Sequence, residues 1–364
     1  MKLLLPYLTL ICALFLAGCG EKNTADTTQK TQQFKWKLVT SWPKNFPGLG
    51  LGPEKFAKYV NEMSGGRLTV KVYGAGEIVP ALGVFEAVRN GTAQMGHSGA
   101  YYWKGKIPAA PFFSSIPFGM NAQELNAWIH HGEGLALWRE VYKPFGLVPF
   151  AGGNTGTQMA GWFNKEVNSL ADIQGLKMRI PGLAGDVFQR AGGVPVNLPG
   201  GELFTALQTG AIDATEWVGP YNDLAFGFHK AAKYYYTSAW HEPGSMLEFI
   251  VNEDALLALP ADLQKIVEVA ARAVNSDMLS EYTAENNKAL QTLVNKHGVE
   301  IKQLPDDVLR QYKQLTDEVI ADLIQNDPVS KKVYGSYLAF YEQARKYHEV
   351  SEQAYYRTRE LKAN

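Results

Sequence analysis

Gly210-Ala-Ile-Asp-Ala-Thr-Glu216-Trp217-Val-Gly-Pro220, read with Lys177-Met-Arg179-Ile-Pro-Gly182 upstream of it, decides the fold class of this chain. Each stretch carries a charged residue near the end of a short strand-like segment that runs into a turn marked by Pro and Gly. Open α/β sheets present their ligand-binding groups at such strand ends. Arg179 and Glu216 are therefore expected to face one cleft. An Arg there suits a carboxylate, which its planar fork grips with two parallel hydrogen bonds. A Glu in the same cleft repels that anion unless a cation sits between them. The pair predicts a carboxylate ligand bridged by a metal ion.

Working outward, Phe34-Lys-Trp36-Lys-Leu38-Val-Thr40 alternates apolar and polar residues, as a half-buried strand does. Pro53 opens a helical pattern with Phe56, Tyr59, Val60 and Met63 on one side, Gly65-Gly66 stops it, and Leu68, Val70 and Val72 mark a second strand. This β-α-β unit builds a parallel sheet. The rhythm continues with helices over 82–89 and 124–140 and strands over 93–95 and 147–150. After Gly152-Gly153 it restarts, with strands over 157–163 and 177–180 and helices over 184–190 and 202–208. Two α/β lobes follow from this repetition.

Phe85-Glu-Ala87-Val88-Arg-Asn-Gly91 and Phe204-Thr-Ala206-Leu207-Gln-Thr-Gly210 share a helix end, a Gly cap and an immediate short strand, which suggests duplication. If so, Tyr101 and Trp217 end equivalent strands and face each other across the cleft. Beyond Ser245 the pattern changes to a strand over 246–252 and one amphipathic run over 261–296. Helical stretches over 306–325 and 333–359 end the chain. The long helix is expected to span both lobes or pack across their back.

The expected organisation is a lipoprotein signal over 1–18, a flexible tether over 19–33 and the first part of lobe I over 34–153. Lobe II spans 154–245, and a return strand to lobe I with the long and C-terminal helices spans 246–364. The signal rests on Lys2, the apolar run to Phe15, and Leu16-Ala17-Gly18-Cys19, a lipobox whose Cys19 would be lipidated after cleavage. Cys12 lies inside the signal core, so the mature domain has no thiol for disulfides or nucleophilic catalysis. The formal net charge is −1 and the Lys and Arg residues are scattered, which argues against nucleic acid. Aromatic residues make up 12% of the chain, in keeping with a lined concave site.

Motifs for chemistry are missing. Gly48-Leu-Gly50-Leu-Gly52-Pro53 has Pro where a dinucleotide loop needs its third Gly, and Ala151-Gly-Gly-Asn154-Thr-Gly-Thr-Gln158 lacks the ending of a phosphate loop. The latter reads as a crossing between lobes with polar groups turned to the cleft. His130 and His131 are adjacent on a helix and point about 100° apart; His97 and His229 have no partner in sequence. No Ser sits in a nucleophile elbow. The candidates that remain are Gln158, Arg179, Glu216, Trp217 and Glu242, with Asn154 and Tyr101 beside them.

The order Gly-Asn154-Thr-Gly-Thr-Gln158, Lys-Met-Arg179-Ile-Pro-Gly, the run from Leu198 to Tyr221 and Trp240-His-Glu242-Pro-Gly resembles the substrate-binding proteins of tripartite ATP-independent periplasmic (TRAP) transporters, in the branch that binds 2-oxo acids and lactate. The resemblance implies a two-lobed periplasmic-binding-protein fold of α/β class with a central ligand cleft. It implies that Arg179 grips the ligand carboxylate while Gln158, Glu216, the Trp217 carbonyl and Glu242 share Na⁺ or Ca²⁺ with the ligand oxygens. Trp217 and Tyr101, facing each other across the cleft, are expected to wall the site, with Asn154 beside them. The implied partners are a small monocarboxylate and TRAP permease subunits. The membrane would be reached through the anchor at Cys19, and a homodimer stays open. The rivals are a lipid-anchored metal-dependent hydrolase with Glu216 as base, for which no His ligands are placed, and a ligand-binding accessory of a sensor.

Overall fold

The computed structural model describes residues 32–362. The signal, Cys19 and most of the tether lie outside them. Among the described residues no helix is long and apolar enough to cross a membrane.

The first half runs β1 (Phe34–Thr40), α1 (Leu51–Met63), β2 (Leu68–Tyr73), α2 (Val84–Arg89), β3 (Met95–Gly99), α3 (Ala122–His131), α4 (Gly134–Tyr142) and β4 (Leu147–Asn154). Then come β5 (Gly161–Phe163), β6 (Lys177–Arg179), α5 (Gly182–Arg190), β7 (Val194–Val196), α6 (Leu203–Thr209), β8 (Ala214–Thr215), α7 (Pro220–Phe226) and β9 (Tyr234–Thr237). The rest is β10 (Met246–Asn252), α8 (Glu253–Leu257), α9 (Ala261–His297), β11 (Ile301–Gln303), α10 (Asp306–Asn326), α11 (Pro328–Val350) and α12 (Glu352–Arg359).

These strands form two sheets, one per lobe, ordered β2-β1-β3-β10-β4 and β11-β9-β5-β8-β6-β7. The alternation of β1 is obeyed: Trp36 and Leu38 are buried while Lys35 and Lys37 are exposed. β1, β2 and β3 run parallel, and β10 returns antiparallel between β3 and β4. At 1.5 Å per residue α9 is about 55 Å long. It packs on β4 and α1 of the first lobe and on α7 of the second, so it bridges both.

Several expected elements change in detail. The helix expected over 124–140 breaks into α3 and α4 at Gly132, which leaves helical dihedrals at φ −97 and ψ −155, and the Trp128 ring packs so closely on Gly134 that a Cβ there would clash with it. The helix expected over 333–359 begins at Pro328 and breaks at Ser351, which leaves helical dihedrals at φ −111 and ψ −96. On α1, Phe56 and Val60 are buried but Met63 is exposed. The strand expected over 93–95 is β3, shifted toward the carboxyl side, and the one expected over 157–163 shrinks to β5. β4 continues through Gly152-Gly153 to Asn154, which pairs with Met246. Small residues there let Phe249 of the neighbouring strand approach Gly152 closely.

The two echoing segments share one backbone geometry. Gly91 and Gly210 both take φ +74, in the left-handed region that favours glycine. Two residues on, the amide of Ala93 donates to the Ala87 carbonyl and that of Ile212 to the Ala206 carbonyl, each at 3.2 Å. β3 and β8 follow in their respective sheets.

Candidate functional site

Arg179 ends β6 and Glu216 follows β8, its parallel neighbour in the sheet. The Glu216 amide donates to the Arg179 carbonyl at 3.3 Å, so two adjacent strand ends carry the opposite charges side by side. Both side chains are 1% exposed and form a direct ion pair through Arg179 Nη1 and Glu216 Oε1. Sequence reasoning expected Arg179 to keep its fork for the ligand; here it is engaged. Its Nε donates to the Leu198 carbonyl at 3.2 Å, Nη1 also to the Glu216 carbonyl at 3.4 Å, and Nη2 to the Tyr102 hydroxyl at 2.9 Å. Of five N–H donors, one on Nη2 is uncommitted. The guanidinium also lies 4.9 Å over the Trp217 ring. Burial opposes its charge, but Tyr102, Glu216, Tyr101 and Glu242 around it raise its pKa and keep it charged.

Gln158 and Glu242 come from the two chain segments that cross between the sheets, 155–160 and 238–245. These run side by side: the Thr155 amide donates to the Ser245 carbonyl at 3.0 Å and the Gln158 amide to the Glu242 carbonyl at 3.2 Å. Gln158 Nε2 donates to Glu242 Oε2 at 2.8 Å and to Thr155 Oγ1 at 3.1 Å. Asn154 is buried at the end of β4, where its Oδ1 accepts from the Gly156 amide at 2.9 Å and turns the chain. Trp217 and Tyr101 line one small cavity of about 10 Å³ together with Trp42, Leu49, Thr155, Gln158, Val218 and Leu247. That is room for about one water.

Three residues in this neighbourhood were not anticipated. Tyr102, next to Tyr101, supplies the hydroxyl on Arg179, because the strand end at Gly99 turns into a 3₁₀ segment that reorients consecutive side chains. Trp42 packs edge-on against Trp217 with ring centroids 5.9 Å apart. Its Nε1 donates to His97 Nδ1 at 2.7 Å, while His97 Nε2 contacts the Gly152 carbonyl at 2.9 Å. The indole can only donate and the carbonyl can only accept, which fixes the neutral Nε2-protonated tautomer. Burial agrees, pushing the His97 pKa down to about 4. The third is His241, buried beside Glu216 with Nε2 3.6 Å from Glu216 Oε2. Its signal stood in the Trp240-His-Glu242 run, where only the Glu had been singled out.

One ligand-type atom from each of Glu216, His241 and Glu242 falls within 4.8 Å of the others. Burial first, and the Glu216 carboxylate next, push the Glu242 pKa up to about 7. Glu216 Oε2, Gln158 Oε1 and both His241 ring nitrogens are buried without a hydrogen-bond partner in the protein. Buried polar atoms are nearly always paired, and oxygens and nitrogens of this kind left open together suit a cation. The residues present therefore fit the expected metal ion.

The bacterial extracellular solute-binding protein family 7 model matches residues 38–327. A monocarboxylate 2-oxoacid-binding periplasmic protein of a Nostoc species is 41% identical over 340 residues, covering 93% of this chain and 93% of that protein. Among solved structures, a TRAP periplasmic solute-binding protein from Pseudoalteromonas atlantica with bound sodium and pyruvate superposes with a TM-score of 0.88 at 44% identity, covering 91% of this chain and 100% of that one. One from Colwellia psychrerythraea with bound calcium and pyruvate gives the same TM-score and identity over 90% of this chain and 100% of that one. With a family match over most of its length and both lobes shared with these relatives, the chain belongs to bacterial extracellular solute-binding protein family 7.

Proposed function

We propose that this protein is the periplasmic receptor of a TRAP transporter, closing around a small 2-oxo or 2-hydroxy monocarboxylate, pyruvate-like or lactate-like, and passing it to the membrane permease. The observation that carries the reading is the buried Arg179–Glu216 pair with the second Glu216 oxygen left open. A carboxylate ligand needs the guanidinium that Glu216 occupies. Glu216, Glu242, the Gln158 amide oxygen and the Trp217 carbonyl would hold the cation; with its carboxylate so engaged, Glu216 would release Arg179, whose fork would then be free for the ligand. Bound there, the ion supplies positive charge for the ligand carboxylate and 2-oxygen. Trp217 and Tyr101 limit the tail, and Asn154 holds the crossing that carries Gln158.

With Glu216 and Glu242 both in the cluster, two carboxylates and an anionic ligand outweigh Arg179 by two negative charges, which favours Ca²⁺ over Na⁺. We also propose that residues 1–18 are removed, that Cys19 carries the lipid anchor and that 34–153, 154–245 and 246–364 are the functional parts of the mature chain. Relatives at 41% and 44% identity that bind 2-oxo acids support a receptor over a hydrolase.

The test is calorimetric titration of metal-stripped protein with pyruvate and with propionate, with and without Na⁺ or Ca²⁺. Pyruvate is expected to need the cation and to bind better than propionate, which lacks the 2-oxygen, and the cation to bind more tightly with pyruvate by the same factor. Equal pyruvate affinity in every condition refutes the bridged-ion reading.

A further inference from the structure

His241 has no role in the account above, and its surroundings are unusual for a structural histidine. Its side chain has no solvent exposure, and neither ring nitrogen has a hydrogen-bond partner in the protein. Buried imidazoles normally satisfy at least one nitrogen, as His97 does with both. What faces Nε2 is the open oxygen of Glu216 at 3.6 Å, with a Glu242 oxygen completing a set within 4.8 Å. Ligand atoms held at about 2.0–2.2 Å from a tetrahedral ion stand about 3.4 Å apart. The Nε2 to Oε2 separation is already close to that edge.

The imidazole adds to this oxygen-rich site a donor that a hard ion does not need. Na⁺ and Ca²⁺ seek oxygen and gain little from an imidazole. Borderline divalent ions take imidazole and carboxylate together readily. We infer that Glu216, His241 and Glu242 form a carboxylate–imidazole–carboxylate site able to hold a borderline divalent cation, Zn²⁺ foremost, so that the receptor loads its acid with such an ion as well as with Na⁺ or Ca²⁺. This rests on the cation reading above and adds a nitrogen ligand and a second ion class to it. The neutral Nε2 lone pair binds the ion and the proton resides on Nδ1. The ligand carboxylate and 2-oxygen fill the remaining positions.

The experiment titrates the metal-stripped full chain with ZnCl₂ and, separately, CaCl₂, each with and without pyruvate, for the wild type, His241→Asn and His241→Gln. Zn²⁺ is expected to bind one site in the wild type and to lose about tenfold or more in affinity in both variants, with Ca²⁺ affinity changed by less than about threefold because an oxygen ligand suits it equally. Should either variant misfold, pulsed electron paramagnetic resonance of the wild type loaded with one equivalent of Mn²⁺ and pyruvate still reads the site, through modulation from a directly bound imidazole nitrogen. Ca²⁺ binding without Zn²⁺ binding overturns the nitrogen-ligand assignment alone. So do variants that keep wild-type Zn²⁺ affinity, variants that weaken pyruvate equally with both ions, which makes His241 a donor to the acid, and absence of nitrogen modulation. Failure of every cation to bind overturns the cation reading itself and this inference with it.

Discussion

Replacing Arg179 by Lys keeps the charge and removes the planar fork. Arg179 makes four contacts at once: to Leu198, twice to Glu216 and to Tyr102. A Lys ammonium carries three donors on one atom and cannot span the Leu198 carbonyl, the Glu216 carboxylate and the Tyr102 hydroxyl together. It also lacks the flat face that lies 4.9 Å over Trp217. The folded state keeps a buried cation beside Glu216, so the chain still folds. Ligand affinity bears the loss, because a carboxylate held by two parallel bonds would meet a misplaced point charge. The expected cost is about 2–5 kcal/mol, or roughly thirtyfold to a few thousandfold in dissociation constant. Calorimetry with pyruvate at saturating Ca²⁺ measures it, and a thermal melt checks the fold. Arg179→Met, which strands the buried Glu216 charge, is expected instead to lose about 3–5 kcal/mol of stability. Pyruvate affinity within a few-fold of wild type for a folded Arg179→Lys refutes the reasoning that the fork grips the acid.

Glu216→Gln is expected to weaken Ca²⁺ by about tenfold or more and flatten the cation dependence of pyruvate binding; unchanged dependence in a titration assigns the bridging role elsewhere. Because burial and Glu216 hold Glu242 at about 7 in the cation-free protein, Ca²⁺ must displace its proton below that pH. Ca²⁺ affinity should therefore fall by up to about tenfold per unit as pH drops below 7 and level off above it; a flat profile removes Glu242 from the ligand set. Burial raises Glu248 from 4.5 to about 8, so the folded state keeps a proton that the unfolded chain releases, and stability should decline as pH rises between those values. The slope is up to about 1.4 kcal/mol per unit, and chemical denaturation of Glu248→Gln should show it reduced; an identical slope would place the effect in other groups. Cys19→Ser is expected to abolish incorporation of a palmitate analogue, and equal labelling of both forms would end the lipid-anchor proposal.

What could be read before any coordinates were those features that local chemistry imposes. Alternation in Phe34–Thr40 reports a half-buried strand because successive side chains point to opposite faces. The absence of Pro and Gly over 261–296 allows one continuous helix, and α9 is that helix. The matching Gly91 and Gly210 turns follow from a left-handed backbone that glycine adopts without a Cβ penalty. The strand end at Arg179 and the charge at Glu216 just past β8 were visible because each precedes a turn marked by Pro and Gly.

Only the tertiary structure brought the crossing segments together. Gln158 and Glu242 are far apart along the chain, yet their side chains meet at 2.8 Å because β4 and β10 are neighbours in one sheet and, with Asn154 opposite Met246, start both crossings from the same end of that pair. That convergence buries His241 against Glu216, a contact with no signature in spacing. The engagement of Arg179 was equally hidden. Sequence determined which charged groups stand at strand ends, since that depends on neighbours within a few residues; which of them pair, and which oxygen and nitrogen atoms stay open for an ion, was decided by long-range packing of two sheets and the burial it imposes.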